Sequence, residues 1–139
     1  MKELIDALNE DLAFEYSAII QYITYSAIVK GISRLELGEF FLKEINDELE
    51  HAKYLSNKIS ALGGTPIIEP KTFKITENVK EMLEELLKAE EETIERYKRH
   101  SQLAEKLGYI DIKVQLENII LDEAKHRDEI KKILHNIGG

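Results

Sequence analysis

Apolar residues recur along this chain at intervals of three and four, in four separate runs. In the first, Leu8, Leu12, Glu15, Ile19, Tyr22, Ser26 and Val29 fall on one line of a helix. Gly31 supplies a stop and Ser33 an N-cap, after which Leu37, Phe41, Ile45, Glu48, Ala52, Leu55, Ile59 and Leu62 form a second stripe. Gly63-Gly64-Thr65-Pro66 ends that helix, because glycine suits a left-handed terminus and proline cannot continue it. Thr76 is placed to cap a third helix carrying Val79, Leu83, Leu86, Glu90, Ile94, Tyr97, Ser101 and Ala104, which Gly108 closes. Asp111 is placed to cap a fourth, with Ile112, Leu116, Ile119, Glu123, His126, Ile130, Ile133 and Ile137.

The expected helices therefore run 3–30, 34–62, 77–107 and 111–137 of one domain spanning residues 1–139. At about 27 residues and 1.5 Å per residue each is roughly 40 Å long, a length that favours a bundle. The short links predict two antiparallel hairpins. The longer connection between them, with Pro66 and Pro70, predicts a crossover along the bundle, so the fold class is all-α, an antiparallel four-helix bundle.

The halves also repeat. Asp47-Glu48-Leu49-Glu50-His51 returns 75 positions later as Asp122-Glu123-Ala124-Lys125-His126, both reading D-E-x-x-H. The same offset pairs Glu15 with Glu90, Ile19 with Ile94, Tyr22 with Tyr97 and Gly63-Gly64 with Gly138-Gly139. Glu and His three apart share a helix face, with Cβ atoms about 5–6 Å apart, so each copy can offer one ion two ligands.

Composition narrows the chemistry. A net charge of -8 argues against a surface for nucleic acid or an anionic membrane and suits a cationic partner. The absence of cysteine removes disulfides, thiolate zinc sites and iron–sulfur clusters, so any metal must bind through oxygen and imidazole. Met1-Lys2-Glu3-Leu4-Ile5-Asp6 is charged where a signal peptide would be apolar, and no run of apolar residues is long enough to span a bilayer; a soluble cytoplasmic protein is expected.

Glu15, Glu48, Glu90 and Glu123 occupy stripe positions that packing would give to leucine or isoleucine, and His51 and His126 border the same stripes. If the stripes face inward, four carboxylates and two imidazoles converge in the core, where an unpaired carboxylate is too costly to leave. Lys43, Lys53, Lys88, Arg96 and Lys125 fall off the stripes and are poor candidates to neutralise them. Two divalent ions balance four carboxylates, and the count suits a two-electron cycle with dioxygen or peroxide. Oxygen with imidazole fits iron first, then manganese or zinc. In the symmetric arrangement Glu15 with His51, and Glu90 with His126, are terminal ligands, and Glu48 and Glu123 bridge.

Asp47 and Asp122 adjoin the bridging positions and are placed to accept the second N–H of a ligating histidine from the facing helix. Tyr22 and Tyr97 lie two turns from Glu15 and Glu90, placed to donate a hydrogen bond to a ligand carboxylate or to supply an electron. Glu44, one turn before Glu48, is a further carboxylate that could serve ion transit. His100 and His135 lack repeated acidic partners and are expected to be exposed.

This pattern, E-x6-Y and E-x-x-H twice over, resembles the ferritin-like superfamily and within it the bacterioferritin-type di-iron centre, across Leu4 to Ile137. The resemblance implies a di-iron carboxylate protein that oxidises Fe(II) with dioxygen or hydrogen peroxide, for detoxification or storage. Alternatives are a manganese catalase-like, oxygenase-like or peroxidase-like use of the same ligands, or a non-catalytic metal-binding bundle. Leu49 stands where bacterioferritins carry a haem-ligating methionine, so no haem is expected. Thr93 stands where rubrerythrin-like proteins carry another glutamate, and their cysteine-bearing domain is missing. Cage-forming relatives usually add a short fifth helix whereas this sequence ends at Gly139, so the minimum expectation is a homodimer using Phe14, Ile20, Tyr25 and Phe40.

Overall fold

The computed structural model describes residues 1–135. Ile137, Gly138 and Gly139, which the fourth stripe and the repeat include, lie outside the described residues. Within them the chain forms α1 (Lys2–Ile28), α2 (Arg34–Ala61), α3 (Val79–Lys106) and α4 (Ile110–Leu134). The apolar stripes face inward: Leu8, Leu12, Phe41, Leu55, Leu83, Ile112 and Leu116 are fully or almost fully buried. Burying a leucine or phenylalanine side chain of this kind contributes about 1.5–3 kcal/mol each, far more than helix propensity does.

Helix ends follow backbone chemistry with two departures from the expected caps. Gly63 and Gly108, at φ of 90° and 87°, take the left-handed conformation that turns the chain out of α2 and α3. The third helix is capped by Asn78, whose Oδ1 accepts from the Glu81 amide at 2.9 Å, and not by Thr76. Thr76 instead donates to Glu81 Oε2 and accepts from the Asn78 amide, bracing the cap from outside. Asp111 lies inside the first turn of α4 and makes an ion pair with Lys58 of α2 at 2.8 Å, while Tyr109 occupies the cap without a side-chain bond. A carboxylate in the first turn still suits the helix dipole.

The hairpins α1–α2 and α3–α4 pack on each other, α1 against α3 and α2 against α4. Both cross-hairpin pairs are antiparallel, since Glu15 meets Tyr97 while Tyr22 meets Glu90, and His51 meets Asp122 while Asp47 meets His126. Residues 62–78 form the crossover. It is stitched along α1 by Asn9 to Thr65 and Ile67, by Ser17 to Lys71 and by Tyr25 to Lys74. Gly64 is held so closely that a Cβ there would sit 2.7 Å from Ile5 Cγ2.

Two apolar clusters fill the interior. One gathers Leu4, Leu8, Leu12, Leu55, Ile59 and Ile112; the other Tyr22, Tyr25, Phe41, Met82, Leu83 and Ile130. Tyr25, expected on the outer face, is therefore a core residue, its ring packed on Phe41. Phe14 and Phe40 are half-buried. Among the described residues no helix is long and apolar enough to cross a membrane.

Candidate metal centre

Between the two apolar clusters lies a layer of charge. Glu15, Glu48, His51, Glu90, Glu123 and His126 are each at most 4% exposed. They come from all four helices, one glutamate from α1 and from α3 and an E-x-x-H pair from α2 and from α4. Their ligand-type atoms fall into two groups, Glu15, Glu48, His51 and Glu123, and Glu48, Glu90, Glu123 and His126, each within 4.8 Å. Glu48 and Glu123 belong to both.

The six side chains leave atoms unspent. Glu15 Oε2, Glu48 Oε1, His51 Nδ1, Glu90 Oε2, Glu123 Oε1 and His126 Nδ1 are buried without a hydrogen bond among the described residues; only the Tyr54 hydroxyl shares that condition. Each orphaned buried polar atom costs about 1–3 kcal/mol, more when charged. One such atom on each residue of two overlapping ligand groups is what a pair of cations would relieve.

Each imidazole is anchored from behind. His51 Nε2 lies 2.8 Å from Asp122 Oδ2 and His126 Nε2 lies 2.9 Å from Asp47 Oδ2, each pair joining α2 to α4. Nδ1 then faces inward: His51 Nδ1 lies 3.3 Å from Glu123 and 3.5 Å from Glu15, and His126 Nδ1 lies 3.2 Å from Glu48 and 3.7 Å from Glu90. The symmetry breaks at Glu44, a buried carboxylate whose Oε2 is 2.5 Å from His126 Nε2. Its repeat-related position is Ile119, so His51 has no counterpart contact.

The tyrosines serve the helix opposite their own. Tyr97 of α3 donates to Glu15 of α1 at 2.7 Å, and Tyr22 of α1 donates to Glu90 of α3 at 3.0 Å. Burial and the adjacent carboxylates push both phenols well above their ordinary range, so they remain protonated donors.

Without metal the layer balances its charge with protons. Burial alone would push the His51 pKa down, but Glu123 and Glu15 hold it up at about 11; burial likewise opposes, and Glu44 and Glu90 outweigh it, for His126 at about 12. Burial, reinforced by the Glu123 charge, drives Glu48 and Glu90 well above the usual carboxylate range. Burial would raise Glu123 too, but Glu90, His51 and Glu48 close around it favour its charged form and leave it lowered and ionised.

One cluster escapes the sequence reading. Arg96 and His100 are not surface groups: Arg96 is 4% exposed and His100 half-buried, and both bond the fully buried Asp11, through Nε at 2.8 Å and Nδ1 at 2.7 Å. Burial pushes the Asp11 carboxyl up against the pull of His100 and Arg96. A signal did exist, because the repeat-related position of Asp11 is Leu86, a core residue. His135 is exposed. Leu49 is 42% exposed on the outside of α2, and Thr93 is half-buried on α3.

Comparison with known proteins places the chain among relatives. Residues 5–138 match the ferritin-like domain family. The chain is 30% identical over 127 residues to a bacterioferritin of Brucella melitensis, covering 91% of this chain and 79% of that protein. It is also 30% identical to a putative rubrerythrin of Methanocaldococcus jannaschii, covering 99% of this chain and 72% of that one. Among solved structures, a ferritin-like diiron-carboxylate protein from Bacillus anthracis superposes with a TM-score of 0.93 at 49% identity, over 96% of each chain. The bacterioferritin of Desulfovibrio desulfuricans, a structure with a diiron site, superposes with a TM-score of 0.87 at 27% identity, over 98% of this chain and 80% of that one.

Proposed function

The chain belongs to the ferritin-like domain family, and from that premise we propose that it is a di-iron carboxylate protein that binds two Fe(II) ions and oxidises Fe(II) with dioxygen or hydrogen peroxide. The observation that carries the reading is the set of six orphaned buried atoms, one on each of Glu15, Glu48, His51, Glu90, Glu123 and His126. Glu15 and His51 would be terminal ligands on one side, Glu90 and His126 on the other, with Glu48 and Glu123 shared. Bound iron supplies the one-electron steps, two per pair, that reduce dioxygen or peroxide.

The chain's own residues prepare the site. Asp122 and Asp47 accept the Nε2 protons, which fixes the imidazole tautomer and turns the Nδ1 lone pairs inward. Tyr97 and Tyr22 each donate to one oxygen of a terminal glutamate and leave its other oxygen without a partner. The flanking apolar clusters exclude water from both ends of the layer. For a homo-oligomer, Ile20, Ile23, Leu42 and Leu49 remain exposed as apolar contacts for a second copy.

The test is Fe(II) oxidation followed by near-ultraviolet absorbance, beside metal content per chain. Wild type should hold two ions and consume Fe(II) faster than buffer does. Glu48→Ala combined with Glu123→Ala removes both shared carboxylates and should abolish both properties. Equal oxidation rates in wild type and the double variant would refute the assignment. Two retained manganese ions with peroxide disproportionation would instead favour the catalase-like alternative.

A further inference from the structure

Above the carboxylate layer, between α1 and α3 and beneath the crossover, lies a cavity of about 170 Å³. Glu15, Glu48, Glu90 and Glu123 form its floor, and Lys71, Thr72 and Phe73 of the crossover form its roof. The volume is large for the centre's small oxidants. A water molecule takes about 30 Å³ of liquid, and a cavity of about 150 Å³ accepts benzene. Dioxygen or peroxide, with two heavy atoms each, would leave most of this space unfilled.

The walls say what would fill it. Phe14, Ala18, Leu86 and Ala89 give an apolar body, with the small alanines opening the gap between the helices. On the Phe14 side stand two cations, Arg96 with Cζ 4.0 Å from the ring centroid and Lys71 with Nζ 5.9 Å from it. The Arg96 side chain is 5% exposed, yet of its several N–H donors the described residues engage Nε at 2.8 Å with Asp11 and Nη2 weakly at 3.4 Å with Thr93. A buried guanidinium with donors to spare on a cavity wall matches a planar acceptor, and a carboxylate is the group that meets it in a fork. Lys71 and Lys88 offset Glu85 and Glu92 among the lining residues, so the selection comes from these directed donors and not from net charge.

We propose that this cavity is a binding site for a small organic monocarboxylate of about one ring in size, its carboxylate on Arg96 and Lys71 and its apolar body against Phe14 and the alanines, over the metal centre. The site rests on the metal-binding reading in one respect only. The four floor carboxylates must be neutralised by two divalent ions before an anion is tolerated beside them.

Benzoate is the probe, titrated calorimetrically into the full chain loaded with Zn(II), which removes redox turnover from the measurement. Wild type should bind one benzoate per chain, and benzyl alcohol, with the same ring and no charge, should bind more weakly. Ala18→Leu and Ala89→Leu narrow the cavity from either wall and should weaken benzoate at least about tenfold, equivalent to ~1.4 kcal/mol, while still taking two Zn(II). No benzoate binding, equal binding by both variants, or tighter binding of benzyl alcohol would each overturn the proposal. Wild type that takes no Zn(II) would refute the metal reading instead, a separate outcome read from metal content. Should a variant fail to fold, the anomalous signal of para-bromobenzoate soaked into wild-type crystals decides the matter: bromine between α1 and α3 supports the site, and bromine elsewhere overturns it.

Discussion

Loading the metal-free protein with Zn(II) should expel protons, because protons stand in for the metal. The carboxylates hold His51 at about 11 and His126 at about 12, so near neutral pH each imidazole carries a proton on the Nδ1 that a metal must displace. Burial adds candidates on Glu48 and Glu90, whose carboxyls sit well above the usual range, whereas Glu123 is already ionised. Filling both sites should therefore release at least two protons per chain and at most about four. Each displaced proton makes the apparent affinity change about tenfold per pH unit, so the joint affinity for the pair should fall by roughly 10² to 10⁴ for each unit of acidification. The sign follows from competition: lowering the pH favours the protonated, metal-free layer. Calorimetry in buffers of different ionisation enthalpy counts the protons directly, and a chelator competition across pH gives the slope. Release of fewer than two protons, or an affinity flat in pH, would refute the view that the six residues form one coupled site.

The remaining predictions concern stability and asymmetry. The metal-free fold should lose stability as pH rises from 6.5 towards about 11, because histidines whose folded pKa is raised stabilise fully below the unfolded value and lose that contribution as they deprotonate; thermal melts with and without Zn(II) should diverge with rising pH. Asp11→Ala strands a buried guanidinium and should cost about 3–5 kcal/mol, seen as a melting point lower by roughly 10–17 °C. Asp11→Leu with Arg96→Gln, the residues found at the repeat-related positions 86 and 21, should recover most of that loss by removing both charges. Asp122→Asn should weaken Zn(II) at the His51 side by about 10-fold to 100-fold. Asp47→Asn should weaken the His126 side less, because the Glu44 carboxylate still lies 2.5 Å from the same nitrogen; competition with a chromophoric chelator measures both.

The bundle and the buried layer of carboxylates and imidazoles were both legible in one dimension, for the same reason. A helix repeats every 3.6 residues, so a core-facing stripe shows itself as a spacing, and a glutamate inside that spacing shows itself as a violation. Glu15, Glu48, Glu90 and Glu123 were such violations, and the offset of 75 residues made them a set. Asp11 borders the first stripe and has no charged counterpart at the repeat-related position, Leu86, so the repeat does not mark it. Its mates lie 85 and 89 positions away, at Arg96 and His100.

What only the tertiary structure decided is how the helices are turned toward one another. The stripe left open which ligand carboxylate each tyrosine meets; antiparallel packing of α1 on α3 hands the Tyr22 hydroxyl to Glu90 and that of Tyr97 to Glu15. The same rotation carries Tyr25 into the core, draws Glu44 onto His126 and buries Arg96 beside the cavity. The cavity itself has no one-dimensional signature, because its floor, walls and roof come from all four helices and the crossover. Periodicity along one helix reports which face is inward. Which residue a side chain meets there depends on the crossing and register of a second helix, and those are set by packing the two together.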